Sequence, residues 1–178
     1  MIRYIAFLRG INVGGNKKVP MAELKNLMEK IGFRNVRTIL ATGNVIFDSQ
    51  KKNPSAIKEA IEKKLHETFG FQIKTLLYSM LDIKKLVDSD PFNRIKATKE
   101  TRLYITFLSQ KPKSTFKAPY LSPDKLFRIL KITDIALFSV LLAKDARSVD
   151  AMDFIDKEFG KDVTTRNWNT ITKIISLA

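Results

Sequence analysis

Between residues 2 and 78 the hydrophobic pattern runs strand, helix, strand, strand, helix, strand, and that order restricts the fold more than any other feature. Residues 2–8 form an unbroken apolar run, the mark of a buried strand. Pro20 suits a first helical position, and Met21, Leu24, Leu27, Met28 and Ile31 recur at helical spacing, so 20–31 is an amphipathic helix that Gly32 closes. Val36 to Ala41 and Val45 to Asp48 are β-prone runs separated by the tight-turn pair Gly43-Asn44. Ala56, Ile57, Ala60, Ile61, Leu65 and Phe69 mark a second helix ending at Gly70, and Phe71 to Tyr78 reads as a fourth strand. This is the β-α-β-β-α-β order of ferredoxin-like units.

The rest of the chain reads as a worn version of the same plan. A short helix is expected near 81–88 and a strand at 102–108. A stretch punctuated by Pro112, Pro119 and Pro123 follows. Strands at 126–132 and 135–143 meet at Thr133-Asp134, and helices at 149–159 and about 167–177 finish the chain. The expectation is an α+β fold of two ferredoxin-like units packed together, the second degenerate and extended by a C-terminal helix. The units would span 1–80 and 81–178, with a boundary near 79–82 that contains no flexible linker.

Composition narrows the function classes. There is no Cys, which excludes disulfides, thiolate nucleophiles and cysteine metal sites and suits a reducing cytoplasmic setting. The N-terminal apolar run is too short for a signal-peptide core, and no run approaches the roughly 18 apolar residues that span a bilayer. The formal charge is +14, which favours polyanionic partners such as nucleic acid or nucleotides. Lys84 to Lys131 holds twelve Lys and Arg against four acids, so a basic face and a merely solvated surface both explain the excess.

Three constellations are able to carry chemistry. In Arg9-Gly10-Ile11-Asn12-Val13-Gly14-Gly15-Asn16-Lys17-Lys18, three glycines let backbone N–H groups close on an anion, and Arg9, Lys17 and Lys18 add positive charge. A loop between strand and helix is the usual phosphate-binding context. It is not a Walker A loop, because Asn16 and Lys17 stand where Lys and Ser/Thr are needed, and it does not match G-x-G-x-x-G. A glycine-rich packing turn is the structural alternative. In Thr42-Gly43-Asn44 a tight hairpin accounts for the glycine, but in a split β-α-β unit this turn leaves the sheet on the same edge as the Arg9 loop. Thr164 to Thr170 surrounds the only Trp with Arg166, Asn167 and Asn169. Thr164 or Thr165 is expected to cap the last helix. Trp168 either anchors that helix or stacks on a base.

Other chemistry is not supported. His66, the sole histidine, falls beside the apolar face of its helix as an exposed bystander, so neither a zinc site nor Ser/His/Asp catalysis is expected. Asp145, Asp150 and Asp153 read as favourable charges at a helix start rather than Mg²⁺ ligands. No metal or cofactor is expected, and the oligomeric state stays open.

The stretch from Tyr4 to Gly15, then Val19-Pro-Met-Ala-Glu-Leu, Gly32-Phe, Val36-Arg-Thr, Thr42-Gly-Asn-Val-Ile-Phe, Asp90-Pro-Phe and Thr165-Arg-Asn-Trp-Asn-Thr, resembles the bacterial family called domain of unknown function 1697. The resemblance implies a pair of ferredoxin-like units and no established activity. Its matching positions are Arg9, Gly10, Asn12, Gly14, Gly15, Pro20, Gly43, Asn44, Arg166, Asn167, Trp168 and Asn169. Thr42 stands where Ser is commoner, and Ala143 to Val149 lacks the glycine-rich segment the family pattern implies after the last strand.

The leading expectation is a binding protein for nucleic acid or a nucleotide-like phosphate. The Arg9 loop and Arg166 would hold phosphate, Trp168 would stack, and Asn12, Asn44 and Asn167 would read polar edges. The rivals are an enzyme acting on a small phosphorylated metabolite, with Arg9 and Arg166 as clamps, and a purely structural role for the motifs.

Overall fold

The computed structural model describes residues 1–14, 17–95, 98–112, 116–142 and 148–177. Among them are five helices and two antiparallel sheets, in a mixed α/β architecture. No described helix is long and apolar enough to cross a membrane. The chain divides into two compact units, Met1–Lys85 and Leu86–Leu177, so the division runs through the helix Met80–Asp88.

The first unit contains strand β1 (Ile2–Leu8), helix α1 (Met21–Lys30), β2 (Arg34–Ile39), β3 (Asn44–Ser49), α2 (Pro54–Phe69), β4 (Thr75–Ser79) and the start of α3 (Met80–Asp88). Helix α2 takes its ends from local chemistry. The Asn53 side chain accepts hydrogen bonds from the backbone N–H groups of Ser55 and Ala56, Pro54 fits the first turn, and Gly70 closes α2 in a left-handed conformation. The Asn53 cap starts this helix two residues before the first apolar position at Ala56, because capping is carried by polar residues that periodicity does not see.

The sheet order is β2-β3-β1-β4, with every neighbouring pair antiparallel. Tyr4 faces Phe47 and Ala6 faces Val45 across β1 and β3. With Leu8 they meet Leu24, Leu27 and Met28 of α1 and Ile57, Ile61 and Leu65 of α2 in one buried cluster. The opposite face is also apolar, with Ile5, Phe7, Ile46 and Leu76 buried. Alternation is therefore suppressed in β1 and β3, which explains why both read as continuous apolar runs.

The second unit continues with β5 (Thr101–Leu108), β6 (Tyr120–Leu121), β7 (Phe127–Ile132), β8 (Ala136–Leu142), α4 (Ser148–Phe159), β9 (Val163–Asn167) and α5 (Trp168–Leu177). Its sheet order is β6-β7-β8-β5-β9, again antiparallel. Leu108, Ile129, Leu137 and Leu141 pack against Ala151 and Ile155 of α4. Phe116, Tyr120, Phe127, Phe154 and Phe159 form a ring cluster beside this core, with Tyr120 stacked on Phe154 at 4.8 Å.

Two strands depart from the sequence expectation. The segment expected to open the last helix is the edge strand β9, so neither Thr164 nor Thr165 is the helix cap. Val163-Thr-Thr-Arg-Asn has one large aliphatic residue and no periodic signal, yet its β-branched residues fit an edge paired to β5. The two-residue strand β6 sits in the proline-punctuated stretch, where no apolar run marks it.

Candidate functional site

The first two constellations lie in the first unit and touch. Arg9 leaves β1 with its N–H donating to the Lys74 carbonyl at 2.9 Å, and Leu8 N–H donates to the Gly43 carbonyl at 2.8 Å. The loop therefore emerges between the entry of β4 and the β2–β3 turn. Gly43 is held at φ 74, and a Cβ there would stand 2.8 Å from Ile11 Cδ1 and 2.9 Å from Leu8 Cβ. Ile11 is buried in the space this glycine leaves. Gly43 is thus required twice, by its left-handed backbone and by the Ile11 side chain that occupies its flank.

Asn12 holds the loop in shape. Its side-chain oxygen accepts from Val19 N–H at 2.8 Å, and its amide nitrogen donates to the carbonyls of Val19 (3.0 Å) and Ala41 (2.8 Å). Its backbone N–H donates to the Lys17 carbonyl at 3.2 Å. One residue thereby closes the loop on itself and ties it to the neighbouring turn. Asn44 is fully buried, and its amide donates to the Ile39 carbonyl and Thr42 Oγ1, each at 2.9 Å. Both amides are engaged in building the edge.

The exposed chemistry of this edge is cationic and apolar. Lys17 Nζ lies 3.4 Å from the Gln72 carbonyl and 5.9 Å from the Phe71 ring centroid, which orients the ammonium without burying it. Lys18 and Gly14 are exposed, as is Gly10, while Arg9 is half-buried. Gly15 and Asn16 lie outside the described residues. Val13 is 69% exposed and Leu40 is 49% exposed, two apolar side chains that sequence reasoning passed over. The β-prone run Val36 to Ala41 extends over Leu40, but β2 ends at Ile39 and Leu40 turns left-handed at φ 57. Gly10, Asn12, Gly14, Lys17, Leu40 and Gly43 make up half of the left-handed residues described, all on this one edge.

The third constellation belongs to the second unit. Thr165 Oγ1 lies 2.8 Å from Thr106 Oγ1 across the ladder. Arg166 donates through Nη1 to Thr164 Oγ1 (2.7 Å) and to the Thr165 carbonyl (2.9 Å). Partial burial pushes the Arg166 guanidinium down to about 10, so it stays charged at neutral pH. The Asn167 side-chain oxygen accepts from Asn169 N–H at 2.9 Å and starts α5, the capping job expected of Thr164 or Thr165. Trp168 is buried, with its ring centroid 5.1 Å from Phe92 and 6.1 Å from Phe138, both edge-on. The ring is an interior anchor for the start of α5. Asn169 is exposed.

Among the described residues no group of three or more His, Cys, Asp or Glu stands together. Asp145 lies outside the described residues. His66 is exposed on α2, and its carbonyl accepts from the closing Gly70 N–H. At the opposite end of the first sheet, Arg3 pairs with Asp48 at 2.8 Å and Asn35 donates to the same carboxylate at 2.7 Å. The Arg3 hydrogen bond, aided by Asn35, holds the Asp48 carboxyl below its ordinary range.

A family model described as "Protein of unknown function (DUF1697)" matches residues 1–132. No curated protein matches the chain. Among solved structures, the conserved bacterial protein SP0830 from Streptococcus pneumoniae is similar over 99% of this chain and 98% of its own. The TM-score is 0.75 at 22% identity, a likeness of fold.

Proposed function

Because the chain belongs to DUF1697, a family of unknown function, we propose a function from its geometry: the first unit binds nucleic acid or a nucleotide-like phosphate at the Arg9–Lys18 edge. The observation that carries this reading is the exposed pair Lys17 and Lys18 on a loop turned left-handed at Gly10, Asn12, Gly14 and Lys17. Left-handed turns of this kind present backbone N–H groups to an anion, and the lysines supply the charge. Asn12 keeps the loop in this form before any ligand arrives, which limits the entropy lost on binding. The +14 charge of the chain favours the encounter.

The test is binding of short RNA and DNA over a salt series. A phosphate-contact site weakens steeply with salt, and a Lys17→Glu, Lys18→Glu variant should lower the slope of log K against log salt by about 1.4–1.8. Absent or salt-independent binding at about 50 mM salt refutes the reading.

A structural role for part of the motif set is favoured by a specific observation: the Asn12 and Asn44 amides bond neighbouring loop groups, Gly43 makes room for Ile11, and Trp168 is buried. These residues build the edge, and the ligand contacts fall to the backbone and the lysines. We also read both units as ferredoxin-like. In support, β1, β2, β3 and β4 hold the same sheet positions as β5, β7, β8 and β9. A cytoplasmic location fits the cysteine-free basic sequence.

A further inference from the structure

Two apolar side chains project from the basic edge where polar ones would be expected. Leu40 breaks two local rules at once. A branched side chain in the left-handed region costs roughly the same as a weak hydrogen bond and is normally replaced there by Gly or Asn. A large aliphatic group left 49% exposed at the start of a turn has only partial burial to offset that cost. Val13 is exposed still further, at 69%. The hydrogen bond from Asn12 to the Ala41 carbonyl joins the residues next to each in sequence, so both project from the same clamped part of the edge. The backbone of Asn12 is in turn bonded to Lys17, which brings the cations to the same place.

Resting on the phosphate-binding reading above, we infer that Val13 and Leu40 form the base-contacting part of this edge, and that its occupant is single-stranded nucleic acid. The argument is one of chemical complementarity. A ligand for this edge has to offer negative charge to Lys17 and Lys18 and an apolar surface to Val13 and Leu40 within one short span. Single strands do so at every nucleotide, because each phosphate is followed by an unstacked base face. A duplex stacks its base faces away and leaves only phosphates, sugars and groove edges at its surface. Inorganic polyphosphate has the charge and no apolar surface. Strained residues cluster where function demands them, and Asn12, Lys17 and Leu40 are three of the six described non-glycine residues held left-handed.

The experiment measures binding of the full chain to a labelled 12-nucleotide single strand, its duplex and a polyphosphate of matched charge. Each is compared with the variant Val13→Ser, Leu40→Gly. Glycine accepts the Leu40 backbone conformation, so this variant keeps the turn. Wild-type protein should prefer the single strand over the duplex and polyphosphate. The variant should lose about tenfold for the single strand, with polyphosphate affinity and salt slope unchanged. An undiminished single-strand preference in the variant overturns the base contact while leaving the phosphate site standing. No binding of any of the three probes by wild-type protein overturns both readings. Poly-glutamate binding as tight as the single strand, with the same dependence on Leu40, would make an acidic peptide the occupant and overturn this one.

Discussion

The two units answer the same topological problem with different materials. In the first, the connection from β1 to β2 contains a helix, α1, which shares with α2 the task of covering one sheet face. In the second, the matching connection from β5 to β7 has no helix among its described residues; it carries β6 and the half-buried rings Phe116 and Tyr120. A helix brings a continuous aliphatic stripe. A loop brings a few side chains, so each must cover more area, which is why aromatic rings appear there. The difference also locates the candidate site. A glycine-rich loop between a strand and a helix occurs only in the first unit, since the second, between β5 and β7, has proline punctuation at Pro112 and Pro119 instead.

Core truncations should break this comparison most sharply. Phe47 is fully buried and stands 4.3 Å from the Phe33 ring centroid, so Phe47→Ala is expected to cost about 4 kcal/mol in denaturant unfolding. Phe154 is half-buried but meets Phe116, Tyr120 and Phe127. Phe154→Ala is expected to cost about 3 kcal/mol. It should release amide protection around Tyr120 before it affects β5 and β8, as seen by hydrogen exchange. Equal loss of protection throughout the second unit would show that the ring cluster is part of the core and not a staple for a loop.

Next in size is Gly43→Ala. The added methyl meets Ile11 and Leu8 at under 3.0 Å, and the residue is left-handed. A cost of about 3 kcal/mol is expected. The combination with Ile11→Ala should recover part of it by removing the nearest atom. Asn12→Ala removes three side-chain hydrogen bonds, two of them to Val19, and should cost about 2 kcal/mol. If either change leaves stability intact, the edge is not built as described.

A smaller effect concerns Asp48. Its carboxyl titrates below the ordinary range because Arg3 and Asn35 bond the charged form. Its contribution is therefore present above the unfolded-state value near 4 and lost as pH falls through the lower folded value. Asp48→Asn should flatten the acid side of the stability profile in that window while leaving neutral binding to the opposite edge unchanged.

How much of this was legible depends on what each element is made of. Strands β1 and β3 and helices α1 and α2 announce themselves because burial imposes periodicity on Leu24, Leu27, Ile57 and Ile61. The adjacency of the Arg9 loop and Gly43 followed from strand order. The hydrogen-bond partners of Asn12 and Asn44 did not. An asparagine that bonds backbone and one that awaits a ligand have the same letter and the same turn context. Strand β9 was hidden because Thr, Arg and Asn at an edge are specified by their partner β5 rather than by their own hydrophobicity. Leu40 is apolar and so continues the strand pattern past the true end of β2.

The smallest expected effect separates function from stability. Leu40 at φ 57 and Lys125 at φ 62 are exposed left-handed residues, one in each unit. Replacing either by glycine relieves roughly 1–2 kcal/mol of backbone strain. It adds roughly 0.5–1 kcal/mol of unfolded-state entropy. Both variants should therefore gain about 0.5 kcal/mol, read as a small rise in denaturation midpoint at constant m. Lys125 also donates its N–H to the Ser122 carbonyl, so its turn has a local reason to exist. If the two substitutions stabilise alike and only Leu40→Gly weakens single-strand binding, the strain at Leu40 is retained for the ligand. If Leu40→Gly is instead destabilising, the leucine serves the first unit's own packing, and the contrast between the units is one of folding alone.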